Sequence, residues 1–291
     1  MSSPAYDPRD PPRAGTTRAP APALAAVPAA PAPDLERRHL LGMRVDATSY
    51  RDATDRILGW ARSRESRYVT VATVNNVMQS VDDASFRAVM NASDLVTPDG
   101  VPLVWGLRSL RVGRASRVYG PELTPHVLRA AERSGVPVGF YGGTPAVLDA
   151  LLLRVHDDFP ALPVTFAFSP PFRPLTPEED ELVTRDINAS GARILLVGIG
   201  CPKQERWMAA HRPSVRAVML GVGAAFDFLA GTKRQAPAAV RRMGLEWLFR
   251  LASEPRRLWR RYLRQNPRFL VLFGWQVLRT ELRRALGSTV E

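Results

Sequence analysis

A chain of 291 residues with ordinary apolar content has room for one or two domains and a full core. Its single cysteine, Cys201, excludes an internal disulfide and fits a reducing compartment. The formal charge of +12 is unevenly placed. From Lys233 to Arg284 fourteen residues are basic and three are acidic (Glu246, Glu254 and Glu281), so the rest of the chain is nearly neutral. A basic C-terminal segment points to an anionic partner: a membrane surface, a diphosphate or a nucleic acid.

The first 34 residues are Pro/Ala-rich, and their prolines would break a signal-peptide core; they read as a disordered tail. Leu40 to Val45 is a short apolar run that predicts a first strand. Ser49 or Asp52 can cap a helix running to about Ser63. The β-branched run Tyr68 to Val74 predicts a strand, and one helical stretch is expected from there to about Asn91. Thr73 and Asn75 therefore stand where a strand gives way to a helix.

Asp94 to Thr97 predicts another strand, ending in Pro98-Asp99-Gly100. Those three residues make a turn, and Asp99 can serve as turn former or helix cap. A carboxylate at a strand's carboxyl end also fits a general base. Arg111 to Arg117 is a basic loop ahead of a helix from about Pro121 to Ser134. Val136 to Tyr141 is a strand, and Gly142-Gly143-Thr144 opens the helix Pro145 to His156. A strand over Pro163 to Phe168 leads through a Pro-rich loop to a helix start where Thr176 precedes Pro177; Glu178 to Glu181 then suit the first turn by charge. That acidic run reads as a solvated turn rather than a metal site.

The stretch Gly198 to Trp207 (GIGCPKQERW) follows the buried-strand pattern Ala192 to Val197. It is a strand, a Gly-rich turn and a helix start, the place where open α/β sheets bind ligands. Gly198 and Gly200 allow close backbone approach, and Lys203 and Gln204 sit beside a helix N-terminus that attracts phosphate. Cys201 reads as a small turn residue rather than a nucleophile. A last strand, Val215 to Gly221, ends in Gly221-Val222-Gly223. Strands separated by helices predict an α/β fold with a Rossmann-like parallel sheet flanked by helices. No glycine cluster completes G-x-G-x-x-G, which argues against the usual dinucleotide fold.

From Lys233 the pattern changes to helices rich in aromatics and arginines, so the expected organisation is a tail over 1–34, an α/β domain over 35–232 and a basic helical C-terminal appendage over 233–291. Arg250, Arg257, Arg261, Arg264 and Arg268 would share a face of an unbroken helix, but Pro255 and Pro267 are expected to interrupt it. Basic and aromatic residues on an amphipathic helix read as membrane-surface association. A peripheral hairpin with a solvated basic face and nucleic-acid binding are the other readings. The longest apolar run, Phe269 to Leu278, is about half of the ~20 residues needed to span a bilayer.

Taken together, the segments TVNN (Thr73 to Asn76), PDG (Pro98 to Gly100), RVYGPEL (Arg117 to Leu123), FYGG (Phe140 to Gly143), GIGCPKQERW, GVGAAFDFLAG (Gly221 to Gly231) and GLEWLFRLASEPRRLWRRYL (Gly244 to Leu263) carry a family pattern. The chain resembles the WecG/TagA/CpsF family of bacterial glycosyltransferases over roughly Leu40 to Leu263. The resemblance implies a membrane-associated inverting transferase, cytoplasmic and peripheral on the inner face of the cell membrane. It would move a sugar, of N-acetylmannosamine or uronic-acid type, from a UDP-sugar to a polyprenyl-diphosphate-linked acceptor. By position, Asp99 is then the general base, with Thr73, Asn75 and Asn76 lining the pocket. Arg117 and Gln204 would contact donor or acceptor, and Arg250, Arg257 and Arg260 would close over the diphosphate. Gly142, Gly143, Gly198, Gly200, Lys203, Gly223 and Asp227 join the substrate-binding set from their matching segments. No Asp-x-Asp metal motif is present, so arginine is the expected counter-charge; no metal, no cofactor and no nucleic acid is expected. Two departures stand: Gln235-Ala236-Pro237 replaces the family's Arg-Ala-Pro, leaving that arginine's phosphate contact in question, and the tail and the segment after Leu263 fall outside the pattern. Two other function classes remain open on the residues alone, an NAD-dependent or other nucleotide-binding α/β enzyme and a non-catalytic basic adaptor for membrane or nucleic acid.

Overall fold

The computed structural model describes residues 34–237, 239–240 and 246–287; the tail reading of the first residues lies outside that range. The side chains of Arg257 and Arg261 are likewise outside it. Six strands form one parallel sheet in the order β4-β3-β8-β7-β5-β6: β3 (Arg67–Ala72), β4 (Leu95–Pro98), β5 (Val138–Gly142), β6 (Val164–Phe168), β7 (Ile194–Gly198) and β8 (Val218–Gly221). The chain divides into two compact units, one holding Tyr50–Val69 and Gly120–Lys233, the other Asp34–Ser49, Thr70–Tyr119 and Arg234–Glu291.

In the first unit, β5 pairs in parallel with both β6 and β7, and β7 with β8. β5, β7 and β8 are apolar and almost wholly buried, as strands covered on both faces are, while the edge strand β6 leaves Thr165 exposed; α1 (Tyr50–Arg62), α5 (Gly120–Arg133), α6 (Pro145–Asp158), α7 (Pro177–Ala189), α8 (Lys203–His211) and α9 (Ala225–Leu229) belong to this unit. Helix α7 starts where the sequence predicts. Thr176 caps it, Glu179 returns a carboxylate to the Thr176 N–H at 2.9 Å, and Arg173 grips the same carboxylate. That carboxyl, held by Arg173 first and by the Thr176 N–H second, is pulled down to about 2. The acidic run is thus a helix start, as its charge pattern indicates.

The strand ends of this unit approach closely. Gly142 and Gly198 face each other in the β5–β7 register. A Cβ on Gly142 would lie 2.5 Å from the Gly198 carbonyl carbon, and its φ of 132° is itself a glycine conformation. The neighbouring Gly143 N–H donates to the Gly198 carbonyl at 3.2 Å. Two of the glycines picked out by sequence therefore hold the carboxyl ends of adjacent strands together.

The second unit contains β4, α2 (Val74–Asp82), α3 (Ala84–Ala92), α4 (Val101–Ser109), α10 (Glu246–Ser253) and the 33-residue α11 (Pro255–Gly287). Three expectations change here. The run read as one strand is an antiparallel hairpin, β1 (Arg37–Leu40) and β2 (Met43–Asp46), outside the main sheet. Leu41 and Gly42 take positive φ at its turn, and Gly42 allows this without strain. The helical stretch after β3 is two helices, because the Asp83 carboxylate accepts the Phe86 N–H at 3.0 Å and starts a new one. Pro255 stands at a helix start as expected, but Pro267 lies inside α11 and does not end it.

Tertiary packing holds α11 through that proline. Phe269 and Phe273 stack at 5.4 Å and are buried among Leu40, Met78, Leu103 and Leu107. Gln276 accepts from the Leu41 N–H at 2.8 Å and donates to the His39 carbonyl at 2.6 Å. Arg268 pairs with Asp82 at 2.6 Å, and Glu281 with Arg111 at 3.2 Å. A buried aromatic pair and four polar ties offset the proline, which costs about 3 kcal/mol in a helix interior through a lost hydrogen bond and a ring clash.

Candidate active site

In the second unit, the ends of β3 and β4 lie side by side, because the Asp99 N–H donates to the Ala72 carbonyl at 2.8 Å. Thr73 follows β3 and opens α2; its N–H and its hydroxyl both reach the Asn76 carboxamide oxygen, at 3.0 and 2.7 Å. Asn76 is buried by this, while Thr73 and Asn75 keep part of their surface open. Asp99 sits between β4 and α4. The chain returns when the Val118 N–H donates to the Pro98 carbonyl at 2.9 Å, which sets Arg117 beside it. The Arg117 Nη2 lies 3.6 Å from Asp99 Oδ1.

Two residues without an assigned role complete the cluster. Glu246, the first residue of α10, takes the same Arg117 Nη2 in a short contact. Tyr119 lies under the guanidinium, whose carbon is 4.6 Å from the ring centre. Arg250, one turn along α10 from Glu246, is near enough to act on the charges of both Asp99 and Tyr119. Among the three acidic residues of the basic segment, Glu246 alone is buried, and that isolation in sequence is the signal that could have found it.

The electrostatics follow from burial. Only 15% of the Asp99 side chain is exposed. Desolvation pushes its carboxyl up to about 7; Arg117 and Arg250 pull against that, and the Glu246 charge adds to it. Burial, then the Glu246 and Asp99 charges, push the Tyr119 phenol well above its ordinary value, so it stays a neutral donor. The cluster thus offers a carboxylate that changes state near neutral pH beside two guanidinium groups suited to phosphate.

The remaining sequence-predicted residues fall into two groups. Gly142, Gly143, Gly198, Gly200, Lys203, Gln204, Gly223 and Asp227 all belong to the first unit, at or just beyond the carboxyl ends of β5, β7 and β8. Within that unit Lys203 is exposed, and Asp227 pairs with Lys233 at 3.5 Å. Gln204 is turned inward: its carboxamide oxygen accepts the Gly200 N–H at 3.2 Å, and its nitrogen donates to Glu205 at 3.0 Å. Its carboxamide braces the Gly-rich turn. On α11, Arg260 is exposed with its guanidinium 5.3 Å from the Trp259 ring centre, and Arg257 lies on the same helix with its side chain outside the described residues. Among the described residues no group of three or more His, Cys, Asp or Glu side chains is arranged to hold a metal ion.

The model of the glycosyl transferase WecG/TagA/CpsF family matches residues 38–283. The match takes in the hairpin, both units and most of α11, so the segment after Leu263, read from sequence as outside the shared pattern, is largely part of it.

Proposed function

The chain belongs to the WecG/TagA/CpsF glycosyltransferase family, whose members act in cell-surface polysaccharide synthesis, and on that premise we propose an inverting transfer from a UDP-sugar to a polyprenyl-diphosphate-linked sugar acceptor. The transferred sugar is of N-acetylmannosamine or uronic-acid type. Membership supports a transferase over the NAD-dependent enzyme and the non-catalytic adaptor.

Asp99 takes the proton from an acceptor hydroxyl. The acceptor oxygen forms a bond to the anomeric carbon while the bond from that carbon to the UDP β-phosphate oxygen breaks. The electron pair leaves with UDP, the proton stays on Asp99, and the configuration inverts. The observation that carries this reading is the Asp99 carboxylate at the end of β4, only 15% exposed and 3.6 Å from Arg117, with desolvation pushing its pKa up to about 7. Arg117, Arg250, Arg257 and Arg260 are the proposed counter-charge for diphosphate, because guanidinium pairs bidentately with phosphate and stabilises charge on the leaving group. Thr73, Asn75 and Asn76 line the acceptor side. Within the first unit, Gly142, Gly143, Gly198, Gly200, Lys203, Gly223 and Asp227 are proposed substrate contacts, and Gln204 serves them by bracing the Gly-rich turn.

The test is UDP release from a panel of UDP-sugars with a short-chain polyprenyl-diphospho-sugar acceptor. Acceptor-dependent release with one donor identifies the reaction. UDP that neither is released nor raises the melting temperature would end the UDP-sugar reading.

We also propose a peripheral site on the inner face of the membrane. No helix among the described residues is long and apolar enough to cross a bilayer. The side of α11 away from Phe269 and Phe273 exposes Leu270, Val271, Trp275, Leu278 and Leu282. Arg279 lies against that stripe, 5.0 Å from the Trp275 ring centre, and Arg283 is exposed one turn on. Apolar residues flanked by arginine suit an anionic lipid surface. Replacing Leu278 and Leu282 together by glutamate should weaken binding to anionic liposomes at least ~10-fold with little change in melting temperature, since each buried leucine is worth ~2 kcal/mol. Unchanged liposome binding would remove α11 from the membrane contact.

A further inference from the structure

We propose that Glu246 is a positioning residue for the transfer: by binding Arg117 it fixes the guanidinium in place and keeps Asp99 free to accept the hydroxyl proton. The proposal rests on the reading of Asp99 as the base.

The geometry is a contest for one nitrogen. Arg117 Nη2 touches both carboxylates, and Glu246 holds the closer contact while Asp99 stands off at 3.6 Å. A carboxylate tightly bound to arginine is a weak base, because the ion pair favours its charged form and lowers its pKa by about 1–3 units. Were Arg117 to swing fully onto Asp99, the ion pair would hold the carboxylate charged and make it a weaker base. Glu246 removes that option. Tyr119 supports the guanidinium from its face while Glu246 anchors its end. The charge on Glu246 acts in the same direction, since a second carboxylate beside Asp99 opposes ionisation there.

Burial makes the arrangement specific. Glu246 is 7% exposed within a segment that is otherwise strongly basic. A carboxylate gains little by leaving water unless a partner waits for it, and its partner is the arginine next to the reacting group. Arg250 follows one turn later on α10, so this helix brings one negative and one positive group to the cluster and leaves its net charge unchanged. Glu246 acts through Arg117 and need not touch substrate.

The experiment compares pH profiles of kcat/KM for the full chain and for Glu246→Gln, Glu246→Asp and Asp99→Asn, with donor and acceptor as above. The wild-type rate should rise through about pH 7 as Asp99 ionises. Glu246→Gln should move that rise down by about one pH unit and lower the plateau at least ~10-fold, because Arg117 now pairs with Asp99. Glu246→Asp keeps the charge, so its rise should stay within about half a unit of wild type while the plateau falls. An unmoved rise in Glu246→Gln, with Asp99→Asn inactive, overturns the role of Glu246 and leaves the base intact. An active Asp99→Asn overturns the base reading itself. Melting temperature and UDP binding report whether each variant folds. Should Glu246→Gln fail to fold, a rise displaced by more than about half a unit in Glu246→Asp overturns the proposal.

Discussion

Asp99→Asn should lower turnover at least ~100-fold, the low end of what a positioned general base contributes, while UDP affinity stays nearly unchanged. The amide keeps the shape of the side chain and its place between β4 and α4, but it cannot accept the hydroxyl proton. Steady-state UDP release and UDP titration separate the two effects. Equal turnover in the variant would remove Asp99 from the mechanism. The same substitution should leave a signature in stability. The folded-state value near 7 lies above the ordinary carboxylate value, so folding favours the protonated form. The stability this contributes is complete below about pH 4 and is lost as pH rises through about 7. A shift of about three units corresponds to at most ~4 kcal/mol. Asparagine cannot ionise and escapes that loss. The variant should therefore melt with wild type at pH 4 and above it at pH 8, a difference that calorimetry at the two pH values will read.

Phe269→Ala should destabilise the second unit by roughly 3–5 kcal/mol, the range for emptying a buried phenylalanine site. Phe269 is 2% exposed and stacks on Phe273, with Leu40, Met78 and Leu103 in the same cluster. The hairpin, α2 and α4 cannot collapse onto an alanine without moving together. A urea melt should show the midpoint falling with little change of slope. A midpoint change worth less than about 1 kcal/mol would mean that α11 rests on its polar ties alone.

Much of the sheet was legible because parallel strands buried on both faces write themselves as apolar β-branched runs. ILLVG in β7 is an example; VGFYG in β5 is apolar with a single β-branched residue, and each strand ends in glycine at the turn. The helix starts at Thr176 and Pro255 were legible for equally local reasons, a capping box and a proline at the first turn. The misreadings have non-local causes. Leu40 to Val45 reads as one strand until Leu41 and Gly42 are seen to reverse the chain. Pro267 reads as a break, because nothing nearby in sequence shows that Phe269, Phe273 and Gln276 grip a partner more than 150 residues away. At the site, Asp99 and Arg117 stand in short motifs that point to chemistry. Glu246 is one letter in a run of arginines and aromatics, 129 positions from Arg117, and only the fold shows that the two meet.

The second unit is assembled from pieces that leave the ribosome far apart in time. Thr70–Tyr119 emerges about 150 residues before Phe269, which at ~5–20 residues per second is roughly 8–30 s. During that interval the hairpin, α2 and α4 lack the aromatic pair that fills their core, and Arg117 lacks Glu246. The segment Gly120–Lys233, by contrast, carries three consecutive parallel pairings within itself and can begin to fold as it appears. Nascent chains stalled before α11 should thus expose the surface around Leu40, Met78 and Leu103 to chaperones, and the carboxylate cluster forms only late in translation.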